Sequence, residues 1–104
     1  MKRFGQHARL KAEKVEDYKR LHAAAWPEVL KMISACNLRN YSIFLMGRDL
    51  IAYFEYVGDD FETDMKKMAA DPVTQDWWRH TKPCFEKHEQ GIYYQDFEEI
   101  FHWD

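Results

Sequence analysis

The chain has few residues that interrupt secondary structure and few that could cross-link it. Its 104 residues include four glycines, three prolines and two cysteines. Two cysteines are too few for a disulfide framework, so we expect Cys36 and Cys84 to be reduced thiols in a cytoplasmic protein. No apolar run approaches the roughly 18 residues of a membrane span, and the N-terminus lacks the apolar stretch of a signal peptide.

An excess of positive charge is also missing. The formal net charge is −3, which disfavours nucleic acid as the main partner, because phosphate binding depends on a basic face. Residues 86–104 hold six acids and one lysine, so this part is an acidic aromatic segment rather than a second domain. The length and the charge pattern together predict one domain spanning residues 1–104.

Aromatic residues, by contrast, are abundant and make up 16% of the chain. Aromatic rings fill the core of a small protein efficiently. They also form flat faces against which cations and the C–H faces of sugars pack. Composition alone does not distinguish these two roles.

The apolar pattern along the chain changes between the two-residue period of strands and the 3.6-residue period of helices. It predicts strands over 3–10, 39–46, 50–57 and 95–103, and helices over 13–25, 27–36, 59–70 and 72–80. The turn Gly47-Arg48-Asp49 joins the two middle strands into a hairpin. This order predicts an α+β protein with a ferredoxin-like βαββαβ fold, in which helices cover one face of an antiparallel sheet.

The strand over 39–46 is apolar on both of its faces. Tyr41, Ile43 and Leu45 share one face, and Phe44 and Met46 share the other. A strand that is apolar on both faces is usually covered on both, and helices supply only one cover. A second copy of the chain is the simplest second cover, so we expect a homodimer with sheets face to face.

Three side chains with polar groups follow one another at helical spacing. Tyr18, His22 and Trp26 lie four residues apart and therefore line one stripe of the predicted helix. The usual histidine pKa near 6.5 makes His22 suited to proton transfer at neutral pH. Packing in the core is the more common role of such a stripe, so both interpretations stay open at this point.

The pair Trp77-Trp78 is a second candidate feature. Adjacent helical positions point about 100° apart, so one ring is expected to pack inward while the other faces a cleft. The second ring could instead lie in the dimer interface. Tyr41, at the start of its strand, could hold its hydroxyl at the rim of the core.

Other kinds of site find little support. His80, Cys84 and His88 are spaced like metal ligands on one helix, but Pro83 interrupts that helix, and no metal site is expected. The chain has no G-x-S-x-G, P-loop or G-x-G-x-x-G motif. Cys36 and Cys84 have no activating partner nearby in sequence and are expected to be inert.

Four segments together carry a family resemblance. They are Tyr18-Lys-Arg-Leu-His22-Ala-Ala-Ala-Trp26-Pro27-Glu28, Asn40-Tyr41-Ser-Ile-Phe-Leu45, Asp71-Pro72 leading to Trp77-Trp78, and Glu98-Glu99-Ile100-Phe101-His102. The family they resemble is that of the L-rhamnose mutarotases. The resemblance spans residues 4 to 103. It implies a homodimer of the dimeric α+β barrel kind, and an isomerase of the aldose 1-epimerase type that interconverts sugar anomers without a cofactor.

The resemblance also implies roles for individual residues. His22 is expected to be the proton donor, and Tyr18, Tyr41, Trp77 and Trp78 to contact the sugar. The helical stripe adds Trp26 to the substrate-binding candidates. The resemblance implies a 6-deoxy sugar as the substrate, with L-rhamnose as the first choice. Residues 85–95 depart from the family's loop before the last strand, so L-fucose or a related deoxy sugar stays open as the alternative.

Two other functions remain compatible with the fold. One is a small dimeric-barrel monooxygenase or haem-binding protein, in which His22 would be an axial ligand. The other is a non-catalytic ligand-binding domain whose aromatic residues all serve the core. The mutarotase is the leading hypothesis because it alone uses the tyrosines, the histidine and the tryptophan pair together.

Overall fold

The computed structural model describes residues 1–87 and 93–104. Its elements are β1 (Lys2–Leu10), a 3-10 turn (Ala12–Lys14), α1 (Val15–Ala23), α2 (Pro27–Ala35), β2 (Leu38–Met46), β3 (Asp49–Tyr56), α3 (Phe61–Ala70), α4 (Pro72–Thr81), a 3-10 turn (Lys82–Cys84), β4 (Phe85–Glu86) and β5 (Gln95–Asp96). The predicted order of strands and helices is confirmed as far as α4.

The helix boundaries follow from local chemistry. Trp26 is extended because the residue before a proline avoids the helical region, and Pro27 then starts α2. The side chains of Asp60 and Asp71 accept hydrogen bonds from the first turns of α3 and α4, respectively, which is the usual way to satisfy free amides at a helix start.

The sheet is antiparallel, with the strand order β2-β3-β1-β4, and β5 also pairs with β1. The 39–46 segment therefore lies at an edge of the sheet. Helices cover one face, which we call the inner face, and it carries the buried residues of β1 and β3: Ala8, Leu10, Leu50, Ala52, Phe54 and Tyr56.

None of the described helices covers the opposite face, which we call the outer face. Phe44 lies directly opposite Ile51 there, and the two side chains are 61% and 37% exposed. A bulge after Arg39, with Asn40 at a φ of 50°, turns Tyr41 onto the inner face, where its ring stacks on Phe54. The predicted division of this strand between two faces is confirmed.

The prediction for the last strand is wrong in extent. Only Gln95–Asp96 is a strand, and the residues from 97 to 104 are exposed. Alternating apolar residues record which side chains can share a face, but a strand also needs a neighbour for its backbone hydrogen bonds. Among residues 97–104, only Phe97 has such a backbone hydrogen bond within the described part of the chain, and its N–H donates to the Gly5 carbonyl.

Across these same residues, every helix is too short or too polar to span a bilayer.

Candidate functional site

Helix α1 places a phenol and an imidazole one turn apart on its inner side. Tyr18 is only 4% exposed and His22 is half-buried. Their rings stack with centroids 4.2 Å apart and planes 30° apart. The Nδ1 atom of His22 lies 3.0 Å from the backbone carbonyl oxygen of Tyr18.

That contact determines which nitrogen of His22 carries the proton. A carbonyl oxygen can only accept, so Nδ1–H donates, and in the neutral ring Nε2 keeps its lone pair. Burial lowers the pKa of His22, and the hydrogen bond to Tyr18 offsets this only partly. Residues 1–87 and 93–104 supply no hydrogen bond to Nε2, so this atom is a proton acceptor without a protein partner among them.

Two tryptophans extend the arrangement. The Trp77 ring meets His22 edge-on at 5.4 Å, and Trp26 meets Trp77 in the same way at 5.2 Å. We call Tyr18, His22, Trp26 and Trp77 the ring cluster. Since Trp77 is only 6% exposed, it serves the core as well as the cluster.

A second group of side chains brings three phenols together on the inner face. The hydroxyl oxygen of Tyr18 lies 3.3 Å from that of Tyr94, and Tyr41 interacts electrostatically with both. Burial raises the pKa of Tyr18 to about 12, and it also raises the pKa values of Tyr41 and Tyr94. All three hydroxyls therefore stay protonated at neutral pH and can donate hydrogen bonds.

Tyr41 is enclosed at one end only. Its side chain is 39% exposed as a whole, but burial is the chief reason for the raised pKa of its hydroxyl. The hydroxyl end is therefore more enclosed than the residue as a whole. Within the described ranges its hydroxyl has no hydrogen-bond partner, and an enclosed hydroxyl without a partner is costly unless a ligand or water supplies one.

Trp78 lies apart from the ring cluster. It faces a cavity of about 620 Å³ beside α4, and the Lys82 ammonium lies 4.8 Å from its ring centroid. Other basic residues and two further aromatic rings line this cavity: Lys11, Arg79, Lys87, Phe85 and Tyr93. The predicted divergence of the two adjacent indoles, one inward and one toward a cleft, is confirmed.

His22 lines neither this cavity nor a smaller one of about 340 Å³. The smaller cavity reaches α1 at Leu21 and Ala24, and Trp26 forms part of its wall. His22 instead stacks on the Tyr18 ring and meets the Trp77 ring edge-on, with part of its surface accessible. The structure thus brings four of the six predicted site residues into one cluster, sets Tyr41 beside it, and sets Trp78 on another side of α4.

The remaining candidates lie elsewhere. His80 packs against Trp26, and its Nδ1 contacts the Asp76 carbonyl. His102 is exposed and pairs with Asp104. Residues 88–92 of the 85–95 loop, His88 among them, lie outside the described residues. Among the described residues no three potential ligands are grouped around a possible metal position.

Tyr94 is the residue that sequence reasoning missed. It follows a tyrosine and precedes the short β5, and nothing in its spacing relates it to Tyr18. The signal that could have found it is the tyrosine doublet itself, Tyr93-Tyr94, which stands directly before the short β5.

Comparison with known proteins shows which family the chain is similar to. A family model described as L-rhamnose mutarotase matches residues 3–103. An L-rhamnose mutarotase of Oceanobacillus iheyensis is 30% identical, and one of Lactiplantibacillus plantarum is 32% identical, each with 100% of both chains covered.

Solved structures agree on the fold. An L-rhamnose mutarotase from Formosa agariphila superposes with a TM-score of 0.80 at 20% identity, covering 100% of both chains. Tetracenomycin F2 cyclase from Streptomyces glaucescens superposes with a TM-score of 0.67 at 13% identity, covering 100% of this chain and 98% of that one. At such low sequence identities the superpositions show the α+β fold alone. The family model and the full-length relatives establish that the chain belongs to the L-rhamnose mutarotase family.

Proposed function

We propose that this protein interconverts the α and β anomers of a 6-deoxy hexose, L-rhamnose, as an isomerase of the aldose 1-epimerase type. One observation carries the proposal. A half-buried imidazole, with its Nδ1–H committed to the Tyr18 carbonyl and its Nε2 lone pair left over, lies beside buried phenols. The 30–32% identity to proteins named L-rhamnose mutarotase supports the choice of sugar.

The reaction needs a proton moved between two oxygens of the sugar. When the ring opens, the anomeric hydroxyl loses its proton, and the bond between C1 and the ring oxygen breaks. The electron pair of that bond stays on the ring oxygen, which takes up a proton. Closure on the other face of the aldehyde gives the other anomer, with no net change in protons or electrons.

His22 suits both halves of this transfer. Its neutral Nε2 takes the anomeric proton, and the imidazolium then returns a proton to the ring oxygen. A positioned acid–base group of this kind typically accelerates a reaction by about 10²- to 10⁴-fold. That is enough for a reaction that already proceeds measurably in buffer.

Tyr18 and Tyr41 would hold the sugar rather than transfer protons. Their raised pKa values make them weak acids but keep them protonated as hydrogen-bond donors. Sugar hydroxyls can act as partners for the Tyr41 hydroxyl, which the described side chains leave unpaired. Trp26 and Trp77 would form the apolar wall, and Trp78 would offer its accessible ring to a C–H face of the sugar.

We further propose that the working unit is a homodimer of single-domain chains paired through their outer faces. Apolar side chains that are 61% exposed at Phe44 and 79% exposed at Met46 support this pairing. A reducing, cytoplasmic setting remains our expectation, since both cysteines are buried free thiols.

The test is anomer exchange measured by saturation-transfer NMR on L-rhamnose, L-fucose, D-galactose and D-glucose. We expect the largest acceleration with L-rhamnose. The His22→Ala variant should fall to the buffer rate, while His102→Gln, which changes an exposed histidine, should match the wild type. Faster exchange with L-fucose than with L-rhamnose would identify L-fucose as the preferred substrate. Exchange at the buffer rate with every sugar would contradict the proposed function.

A further inference from the structure

We infer that Tyr94 is a positioning residue of this site, and that it acts by holding the hydroxyl of Tyr18 in one orientation. The inference rests on the proposed function, because it assigns a role within the same site. It concerns a residue that neither the sequence pattern nor the resemblance to the family had singled out.

The two hydroxyls meet although they are 76 residues apart in the chain, with their oxygens separated by 3.3 Å. Tyr94 comes just before β5, and β5 is fixed by its pairing with β1, where Gln95 lies opposite His7. The backbone of the sheet thus brings the Tyr94 side chain to α1.

Packing fixes the two rings as well as the two oxygens. The ring of Phe85 meets Tyr18 edge-on at 5.3 Å and meets Tyr94 at the same centroid distance. The three rings therefore support one another around the hydroxyl pair. Neither phenol has much freedom to move away without disturbing Phe85, which is only 5% exposed.

The hydroxyl pair leaves a defined donor for a ligand. Each neutral phenol has one O–H to donate, and the bond between them uses one of the two. The described residues provide no other side-chain partner for either oxygen. One O–H is therefore left over, and the hydrogen bond between the two oxygens restricts where it can point.

Tyr18 is also the residue that holds the imidazole. Its ring stacks on His22, and its carbonyl accepts the Nδ1 proton. If the Tyr94 hydroxyl is removed, the Tyr18 ring remains packed but its hydroxyl can rotate. The proton acceptor then stays in place while the hydrogen bond to the sugar loses its direction.

The experiment is a double-mutant cycle with Tyr94→Phe, Tyr18→Phe and the combined variant, measured as kcat/KM for L-rhamnose anomer exchange. A net hydrogen bond corresponds to roughly a 3- to 10-fold change, and we expect Tyr94→Phe to lower kcat/KM by that factor. In the Tyr18→Phe background the same change should have no further effect. Tyr56→Phe is the matched control, since it removes a hydroxyl that is hydrogen-bonded to Asp64 in a core cluster separate from the one that holds Tyr18.

Wild-type activity in Tyr94→Phe, or an undiminished loss in the Tyr18→Phe background, would overturn the inference. A parallel cycle on the free energy of unfolding tests the hydroxyl contact independently of catalysis, and absence of coupling there would also overturn it. A wild-type protein with no exchange activity, but with coupling in unfolding, would remove the proposed function and the positioning role together while leaving the contact established.

Discussion

The two faces of the sheet differ in which atoms are buried and which are exposed to solvent. On the inner face, polar atoms are enclosed: the Tyr18 residue is 4% exposed and the Tyr41 hydroxyl is buried. On the outer face, apolar side chains face solvent, with Phe44 61% exposed and Met46 79% exposed. Among the described residues, the inner face therefore lacks a hydrogen-bond partner for the Tyr41 hydroxyl, and the outer face lacks a cover for its apolar side chains.

The difference indicates what each face can bind. An enclosed hydroxyl gains most from a ligand that brings its own hydroxyls, because an unpaired buried polar group costs about 1–3 kcal/mol. Exposed apolar area gains most from another apolar surface, at about 25 cal/mol per Å² removed from water. A sugar suits the first face, and a second protein chain suits the second.

The largest expected effect is on the free energy of unfolding, and it comes from replacing Trp77 rather than Trp78. Trp77→Ala empties a buried position and should lower the free energy of unfolding by about 3–5 kcal/mol. Trp78→Ala removes a half-buried ring beside a cavity and should cost about 1 kcal/mol, while raising KM for the sugar. Urea unfolding of both variants measures the contrast, and equal losses of stability would contradict the different placement of the two indoles.

The outer face is tested by placing a charge on it. Phe44→Asp should convert the proposed dimer to a monomer, because a carboxylate is costly to bury in an apolar interface. Leu30→Asp, at a position 51% exposed on α2, is the matched control and should leave the dimer intact. Sedimentation velocity at micromolar concentration measures both, and a monomeric wild type would contradict the proposed pairing.

The smallest expected effect concerns pH. Burial lowers the pKa of His22 below its usual 6.5, so the neutral, proton-accepting ring persists into mildly acidic solution. After subtraction of the buffer rate, the exchange rate should fall as the pH decreases and reach half of its plateau only below about pH 6.5, the midpoint of an unshifted histidine. Half-maximal exchange at pH 6.5 or above would contradict the lowered pKa.

Much of the architecture was predictable because it depends on neighbours in sequence. Pro27 and Pro72 sit in the first turns of their helices, Asp60 and Asp71 cap α3 and α4, and Gly47 forms the hairpin turn. These effects act over a few residues and can be read directly from the chain. The predicted extent of the last strand was wrong because its pairing partner, β1, is distant in the chain.

The candidate site was predictable only in part. Helical spacing placed Tyr18 beside His22, since residues four apart share a face. Spacing could also show that adjacent indoles diverge, but not which of them turns inward. The approach of Tyr94 to Tyr18 had no such rule, because it depends on how β5 joins the sheet.

The amino-acid sequence alone determined the helices, the hairpin and the His22 stripe, because propensity, capping and periodicity act between residues close in the chain. Only the tertiary structure decided that Trp77 is the inward indole, that Tyr41 crosses a bulge to the inner face, and that Tyr94 meets Tyr18. Those outcomes depend on contacts between distant segments, which form only when the sheet and its helices pack together.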